Sequence, residues 1–341
     1  MALGGTSFGG RGAVVTLGDL LRSMRGKSVL VVGDLMLDEY IVGSATRISP
    51  EAPVMVVRQR EVRRMPGGAA NVARNVAALG GRASLVGLVG ADEGGRELRA
   101  CLENAGLGAL CLCTDEGRPT TRKTRVLADH AHQVLRIDAE DDRPIGAGVE
   151  EALIRAVEEA SRHADAVLVS DYRKGAVTRS VCQAALEAAR ARGVPAVANP
   201  KPRSLDQYRG FTLVSLNRAE AAEALGRTSA LTDGEAPEAA RALAERLEGA
   251  VVVTLGESGM VACWNGSTGA FPAPKVEVYD TAGAGDTVIA TLALAIAAAG
   301  LRAEAFRLAV QTSAAVVRRI GVAVPTEQDL RSIGEGTGPE V

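Results

Sequence analysis

Aromatic side chains are scarce in this chain, and neither sign of charge dominates. Only 3% of the 341 residues are Phe, Trp or Tyr, and the formal net charge is −2. Few aromatics argue against a stacking surface for single-stranded nucleic acid, and no basic block is present to attract nucleic acid or an anionic membrane. With 47% hydrophobic residues, the composition is that of an ordinary globular protein with a large core.

The chain also lacks C-x-x-C motifs and long apolar runs. The five cysteines are odd in number and include no C-x-x-C pair, which argues against a disulfide framework or a structural zinc site. The longest apolar stretch, 288–301, is mostly alanine and is interrupted by Thr291 and Gly300, so it predicts a buried helix rather than a membrane span. We therefore expect a cytoplasmic protein.

Apolar runs alternate with amphipathic segments along most of the chain. Strands are predicted at 28–32, 84–89, 166–170, 195–198, 212–216 and 250–254, with helices at 69–79, 96–105, 178–191, 238–247 and 287–299. This alternation predicts an α/β fold with a mainly parallel sheet between two layers of helices. Ligands bind beyond the carboxyl ends of the strands in such sheets, and Asp34, Asp171, Asn217 and Gly256 each follow a predicted strand.

Two segments do not fit the alternation. Residues 39–64 and 120–137 are rich in β-branched side chains and have no helical period, which predicts a small inserted β-sheet acting as a lid. Exposed lid strands could pair with a second copy, so a homodimer through the lid is a hypothesis. We divide the chain into an N-terminal extension at 1–26, a main domain at 27–330 and a loose tail at 331–341.

The strongest motif is Gly283-Ala284-Gly285-Asp286 at the start of the alanine-rich helix. Glycines allow close backbone approach, and a helix start offers free N–H groups to an anion. Asp286, in the first turn, could take a proton from a hydroxyl. The spacing equally fits a turn followed by an acidic residue that complements the helix dipole, and the residues alone leave both interpretations open.

Further motifs are ambiguous taken singly. Gly67 and Gly68 lead into a helix that carries Asn71 one turn in, and Asp34 follows a buried strand. Both patterns fit contacts to a polar ligand such as a sugar, but simple turns explain each of them.

Two motifs later in the chain could serve a nucleotide. Asn217 and Glu220 could organise a hydrated Mg²⁺, although this spacing is also that of a helix capping box. The segment 254–259 could wrap phosphate with backbone N–H groups or form a hairpin turn.

Taken in order, these motifs resemble the ribokinase-like (PfkB) carbohydrate kinases over roughly residues 28–325. The resemblance implies a three-layer α/β/α sandwich with a β-sheet lid, ATP with Mg²⁺, a possible monovalent cation, and phosphoryl transfer to a sugar hydroxyl. It implies a catalytic base at Asp286 and an anion hole at Gly283, Ala284 and Gly285. Nucleotide contacts, and water-mediated contacts to the metal, are implied at Asn217, Arg218, Ala219 and Glu220, with ATP-phosphate contacts at Thr254, Gly256 and Gly259. Sugar contacts are implied at Asp34, Gly67, Gly68 and Asn71.

A narrower resemblance is to kinases of D-glycero-D-manno-heptose 7-phosphate. The segments 32–40, 46–54, 135–138, 171–175 and 277–280 carry it. It implies transfer to O1 of that sugar phosphate, with Lys174 and Arg47 as candidate ligands of the 7-phosphate because phosphate recognition needs cations. No segment is long enough for an added nucleotidyltransferase domain, so we expect the stand-alone form.

Departures from the family pattern leave alternatives open. Asn199 stands where the resemblance leads us to expect Asp, and Ala282 stands where Thr is common. A kinase for another sugar, sugar phosphate or nucleoside is the nearest alternative, and a non-catalytic sugar or nucleotide sensor is another. A dinucleotide-dependent oxidoreductase is disfavoured, because no G-x-G-x-x-G follows the first strand.

Overall fold

The computed structural model describes residues 16–128 and 132–337. The helices are α1 (Leu17–Met24), α2 (Ala69–Ala78), α3 (Glu93–Glu103), α4 (Ala147–Ser161), α5 (Arg179–Arg192), α6 (Arg218–Ala224), α7 (Ala236–Leu247), α8 (Ala284–Ala299), α9 (Ala303–Val316) and α10 (Glu327–Glu335). The strands are β1 (Ser28–Gly33), β2 (Leu35–Ile48), β3 (Met55–Gly68), β4 (Arg82–Gly90), β5 (Leu110–Asp115), β6 (Arg122–Ala128), β7 (His132–Ala139), β8 (Ala166–Ser170), β9 (Ala196–Asn199), β10 (Leu213–Asn217), β11 (Ala250–Thr254), β12 (Met260–Trp264) and β13 (Ser267–Phe271).

The main sheet has nine strands in the order β13-β12-β11-β10-β9-β8-β1-β4-β5. Pairing is parallel from β11 to β5, and β12 and β13 add an antiparallel hairpin at one edge. The parallel sheet confirms the sequence prediction, whereas the terminal hairpin was not anticipated.

Two apolar layers cover the sheet, as the alternation of side chains along its strands requires. In β1, Val29 and Val31 pack into one layer with α1, α2, α8 and α9, while Leu30 and Val32 pack into the other with α4, α5 and α7. Because successive strand residues point to opposite faces, an unbroken apolar strand needs helices on both sides. The three-layer α/β/α sandwich is therefore confirmed.

The lid is a separate four-stranded sheet in the order β3-β2-β6-β7. Strand β2 pairs antiparallel with β3 and parallel with β6, and β6 pairs antiparallel with β7. The lid strands extend beyond the predicted segments, since β2 begins at Leu35, directly after Asp34. Residues 129–131 of the predicted lid lie outside the described residues.

The folded body begins earlier than residue 27. Helix α1 falls within the predicted N-terminal extension, yet Leu20 and Met24 are fully buried against the main domain. Helix α10 runs to Glu335, so the start of the predicted loose tail is helical. Residues 1–15 of the extension and 338–341 of the tail lie outside the described residues. Within the described residues, no helix combines the length and apolarity needed to cross a membrane.

Candidate active site

The Gly283–Asp286 motif lies at the start of α8, where Asp286 is buried and Gly285 is exposed. Gly283 is the N-cap in the left-handed region (φ 80°), and a Cβ built there would lie 2.8 Å from Asn71 Nδ2, so glycine is required. The helix begins at Ala284, which places Asp286 in its first turn beside N–H groups that lack helical partners. An anion could bind at this helix start next to the Asp286 carboxylate.

The Asp286 carboxylate is held by two donors from distant parts of the chain. Asn71 Nδ2 donates to Oδ2 at 2.8 Å, and the Tyr172 hydroxyl donates to Oδ1. Burial raises the pKa of Asp286 to about 6, and the charge of Asp38 adds to that rise, whereas the two hydrogen bonds and Lys201 act in the opposite direction. A fixed carboxylate that ionises just below neutral pH is suited to general-base chemistry.

Asn71 and the paired glycines lie next to Asp286. The predicted contact of Asn71 with a sugar stays a prediction, and in this structure its amide donates to Asp286. Gly67 has no room for a side chain, because a Cβ there would lie 1.9 Å from Asp38 Oδ2. Gly68 is the N-cap of α2 at φ 59°. The close turn at 67–68 therefore brings both Asp38 and Asn71 near the base.

Sequence reasoning did not single out Tyr172. Its position directly after Asp171, at the carboxyl end of β8, was the available signal. The ring also lies 5.4 Å from Lys201 Nζ, and that ammonium is paired with Glu220 Oε1 at 2.6 Å. Burial raises the pKa of Tyr172 well above 10, so its hydroxyl stays a neutral donor to Asp286.

Asp34 is buried and organises the loop that carries Tyr172. Its carboxylate accepts backbone N–H groups from Tyr172 at 2.7 Å, from Lys174 at 3.1 Å and from Ala176 at 3.1 Å. Burial, followed by the charge of Asp171, raises the pKa of Asp34 to about 6. The predicted contact between Asp34 and a sugar stays a prediction, and in this structure the side chain shapes a small cavity that Lys174 also lines.

The Asn217–Glu220 motif is a helix capping box. Asn217 Oδ1 accepts the N–H groups of Ala219 and Glu220 at 2.9 Å, and Glu220 Oε2 accepts the Asn217 N–H at 2.9 Å. The capping interpretation is confirmed, and it fixes Glu220 beside Lys201. Arg218 donates from Nη2 to the Leu255 carbonyl, which ties this helix start to the next motif.

The 254–259 segment is the turn between the antiparallel strands β11 and β12. The Leu255 N–H donates to the Gly259 carbonyl at 2.8 Å, and a short 3-10 helix at Gly256–Ser258 fills the turn. Thr254 is the register partner of Asn217 on the neighbouring strand. Thus the two predicted nucleotide motifs lie side by side at the carboxyl edge.

A cleft of about 160 Å³ joins these motifs to Asp286. It is lined by Tyr172, Asn199, Pro200, Lys201, Ser215, Leu216, Asn217, Glu220, Thr254, Gly283, Gly285 and Asp286. In the described parts of the chain, Asn199 Oδ1 is buried without a hydrogen-bond partner, so the cleft offers a free acceptor. Those parts contain no cluster of three or more His, Cys, Asp or Glu side chains able to hold a metal. A Mg²⁺ ion would fit only with water and nucleotide phosphates as most of its ligands.

The two predicted phosphate ligands are far apart. Lys174 lies near Asp34, and its Nζ is paired with Glu140 Oε1 at 2.8 Å. Arg47 is exposed near the tip of the lid, nine residues along β2 from Asp38, or about 30 Å of strand. The structure therefore does not bring Arg47 of the same chain to the site.

A buried carboxylate at a helix start, a polar cleft beside it and a β-sheet lid are together the arrangement expected of a ribokinase-type sugar kinase. The chain belongs to the pfkB family of carbohydrate kinases, whose sequence profile matches residues 27–329.

Relatives and solved structures agree with this membership. The chain is 46% identical over 318 residues to the bifunctional protein HldE of Caulobacter vibrioides and 44% identical over 316 residues to that of Azorhizobium caulinodans. Each alignment covers 92% of this chain but 65% of the relative. Phosphofructokinase-2 from Escherichia coli in complex with fructose-6-phosphate superposes with a TM-score of 0.73 at 20% identity, covering 92% of this chain and 99% of that one. Arabidopsis thaliana ribokinase complexed with ribose and ATP gives 0.69 at 20% identity, covering 91% and 99%. At such identities these structures establish the fold.

Proposed function

We propose that this sugar kinase transfers the γ-phosphoryl group of ATP to O1 of D-glycero-D-manno-heptose 7-phosphate, giving the 1,7-bisphosphate. The observation that carries the chemistry is Asp286, buried at the start of α8 with both carboxylate oxygens oriented by donors. The choice of sugar rests on the resemblance of segments 32–40, 46–54 and 171–175 to heptose 7-phosphate kinases, and similarity to the two HldE proteins supports it.

Different residues of the site serve different parts of an in-line phosphoryl transfer. Asp286 accepts the proton of the attacking hydroxyl while the bond from that oxygen to the γ-phosphorus forms and the bond to the β-phosphate oxygen breaks. The backbone N–H groups of Gly283, Gly285 and Asp286 stabilise the charge on the transferring group, whereas that of Ala284 donates to the Thr281 carbonyl at 3.2 Å. The lid excludes water, which would otherwise accept the phosphoryl group.

The nucleotide would lie along the cleft between the capping box and the 254–259 turn. Thr254, Gly256 and Gly259 would contact its phosphates, and the Lys201 ammonium is placed to neutralise their charge. Asn217 and Glu220, whose side chains both cap the helix, would hold Mg²⁺ through bridging water molecules. The ion would neutralise charge on the phosphates. A monovalent cation stays a prediction from the family resemblance. The cytoplasm, where the ATP pool lies, is the proposed location.

A panel of acceptors tests the proposed substrate. With ATP and Mg²⁺, we expect kcat/KM for D-glycero-D-manno-heptose 7-phosphate to exceed that for fructose 6-phosphate, ribose and adenosine by at least about 10²-fold, because a missing buried contact to substrate costs several kcal/mol. Phosphorus NMR of the product should show a new phosphate on O1. Efficient turnover of another acceptor without turnover of the heptose phosphate would refute the substrate, and no turnover of any acceptor would favour a sensor.

The pH profile tests the base and its tyrosine. Because the pKa of Asp286 is raised to about 6 in the folded protein, kcat/KM should fall about tenfold per unit as the pH drops below 6. Tyr172→Phe removes a donor that stabilises the ionised form, so this acidic limb should move to higher pH, by up to about one unit.

A matched control is Tyr208→Phe. The Tyr208 hydroxyl is also buried and donates to a carboxylate, Asp171 Oδ2 at 2.9 Å, but not to Asp286. Its removal should leave the acidic limb in place. An unshifted limb in Tyr172→Phe would show that the tyrosine does not act on the base.

We also propose that two copies associate through their lids. Several large apolar side chains of the lid are about half exposed or more: Ile48, Val54, Met55, Leu135 and Ile137. Burying them against a second lid would remove apolar surface from water. Sedimentation velocity of wild type and of Leu135→Lys would test this, since a dimer that persists unchanged in the variant would place the interface elsewhere.

A further inference from the structure

One face of the lid is built from charged residues and is turned toward the catalytic centre. The register of β2, β6 and β7 aligns Asp38, Lys123 and Asp138 in one row. Cross-strand partners share a face of the sheet, so these three side chains project together. The charge of Asp38 raises the pKa of both Asp286 and Tyr172, which shows that this face lies within electrostatic reach of the base.

Most of the charges on this face are neutralised in pairs. Arg125 Nη1 is 2.5 Å from Asp38 Oδ1, Arg136 Nη2 is 2.5 Å from Asp138 Oδ2, and Lys174 is paired with Glu140 at the edge of the face. Together with Lys123 this makes four cations and three carboxylates, and hence one excess positive charge. That excess lies on Lys123, which forms no hydrogen bond or ion pair with residues 16–128 or 132–337.

Lys123 is therefore an ammonium group that is partly removed from water without an ion-pair partner among the described residues. Its side chain is half-buried, and burial lowers its pKa. The charges of Arg136 and Lys174 act in the same direction, whereas those of Asp38 and Asp138 act against it. Holding a cation in such surroundings costs free energy that an arriving anion would recover. The carboxylates of Asp38 and Asp138 attract Lys123, but each is bonded to an arginine and neither forms an ion pair with it.

We propose that Lys123 binds the phosphate group of the acceptor sugar phosphate, with Lys174 as a second cation close to it. The inference rests on the proposed function and assigns the phosphate to the inner face of the lid rather than to Arg47 at its tip. The Lys174 backbone N–H donates to the Asp34 carboxylate at 3.1 Å, and the Lys174 charge acts on Lys123, so a sugar bound between Asp34 and Asp286 would present its phosphate toward the two lysines. Lys123 thereby determines the preference for a phosphorylated acceptor.

The kinetic test compares two acceptors in one variant. Lys123→Met keeps most of the apolar stem and removes the charge. We expect the ratio of kcat/KM for heptose 7-phosphate to that for unphosphorylated heptose to fall about 10²-fold, mainly through KM, because an ion pair to phosphate is lost. Lys123→Arg should recover part of the ratio. The control Lys275→Met, at an exposed position between β13 and α8, should leave the ratio unchanged. An unaltered ratio in Lys123→Met would overturn the proposal.

A labelling experiment tests the same site without turnover. The chain has five lysines, at 27, 123, 174, 201 and 275, so acetylation of each can be followed by mass spectrometry. Saturating heptose 7-phosphate, and separately inorganic phosphate, should slow acetylation of Lys123 at least about fivefold and leave Lys27 and Lys275 unaffected. Protection by inorganic phosphate without any heptose turnover would refute the substrate but support the anion site. Equal labelling of Lys123 with and without both ligands would refute the site.

Discussion

Replacement of Asp286 by Asn should lower kcat by about 10³-fold while leaving the fold intact. The amide cannot accept the proton of the attacking hydroxyl, and a positioned general base contributes roughly 10²- to 10⁴-fold. KM for ATP should change little, because the nucleotide motifs at 217–220 and 254–259 are untouched. Initial rates at saturating substrate, measured at pH 7.5, give kcat of the variant. A kcat within tenfold of wild type would contradict the assignment of the base.

The same variant has a distinct signature in stability. Since the pKa of Asp286 is raised from 3.8 to about 6 on folding, its contribution to stability is full below pH 3.8 and is lost as the pH rises through 6. The loss amounts to about 3 kcal/mol at neutral pH. Asn has no ionisable side chain, so Asp286→Asn does not lose this contribution. Its free energy of unfolding should therefore decline less than that of wild type between pH 4 and 7. Asp34, with its pKa also raised to about 6, keeps some pH dependence in both proteins. Identical pH dependence in the two would show that Asp286 is not desolvated as the structure indicates.

Replacement of Gly33 by Ala should cause a large loss of stability. A Cβ at Gly33 would lie 2.1 Å from the Ser170 carbonyl oxygen and 3.0 Å from the Ala69 Cβ. The contact is with backbone in the centre of the parallel sheet, so relief requires β1 and β8 to separate. We expect a loss of about 3 kcal/mol or more in the free energy of unfolding, measured by urea denaturation.

Gly148→Ala is the matched control for this substitution. Gly148 lies in α4, and a Cβ there would meet no atom within 4 Å. Alanine favours the helix over glycine by roughly 0.5–1 kcal/mol, so this variant should be as stable as wild type or slightly more stable. A Gly33→Ala protein as stable as wild type would mean that the β1–β8 contact is looser than described.

Much of the fold was predictable because it follows from local periodicity. The apolar run 28–32 and the helical spacing of Val72 and Val76 each lead directly to an observed element. Helix α1 was missed although its signal is present: Thr16 and Asp19 form a capping box ahead of a clear apolar stripe. The β12–β13 hairpin was missed because short strands at a sheet edge have weak patterns.

The site was only partly predictable, for a different physical reason. Asp286 could be found from its glycines, but its two donors lie at 71 and 172, and only the topology of the sheet brings them together. Lys123 shows the same difficulty, since an unpaired cation is recognisable only when the partners of its neighbours are known. Arg47 was chosen by its charge and segment, and the length of β2 removes it from the site.

The parallel pairing of β2 with β6 has a consequence for the order of folding. These strands are neighbours in the lid, yet the segment between them includes β4, α3 and β5 of the main domain. The lid therefore cannot close its sheet until that segment has been placed, and the loop that must first be closed is long. We expect the β2–β6 amides to gain protection from hydrogen exchange last during refolding and to lose it first in the native state. The lid, which we propose shields the reaction from water, should thus also be the last part of the enzyme to become structured.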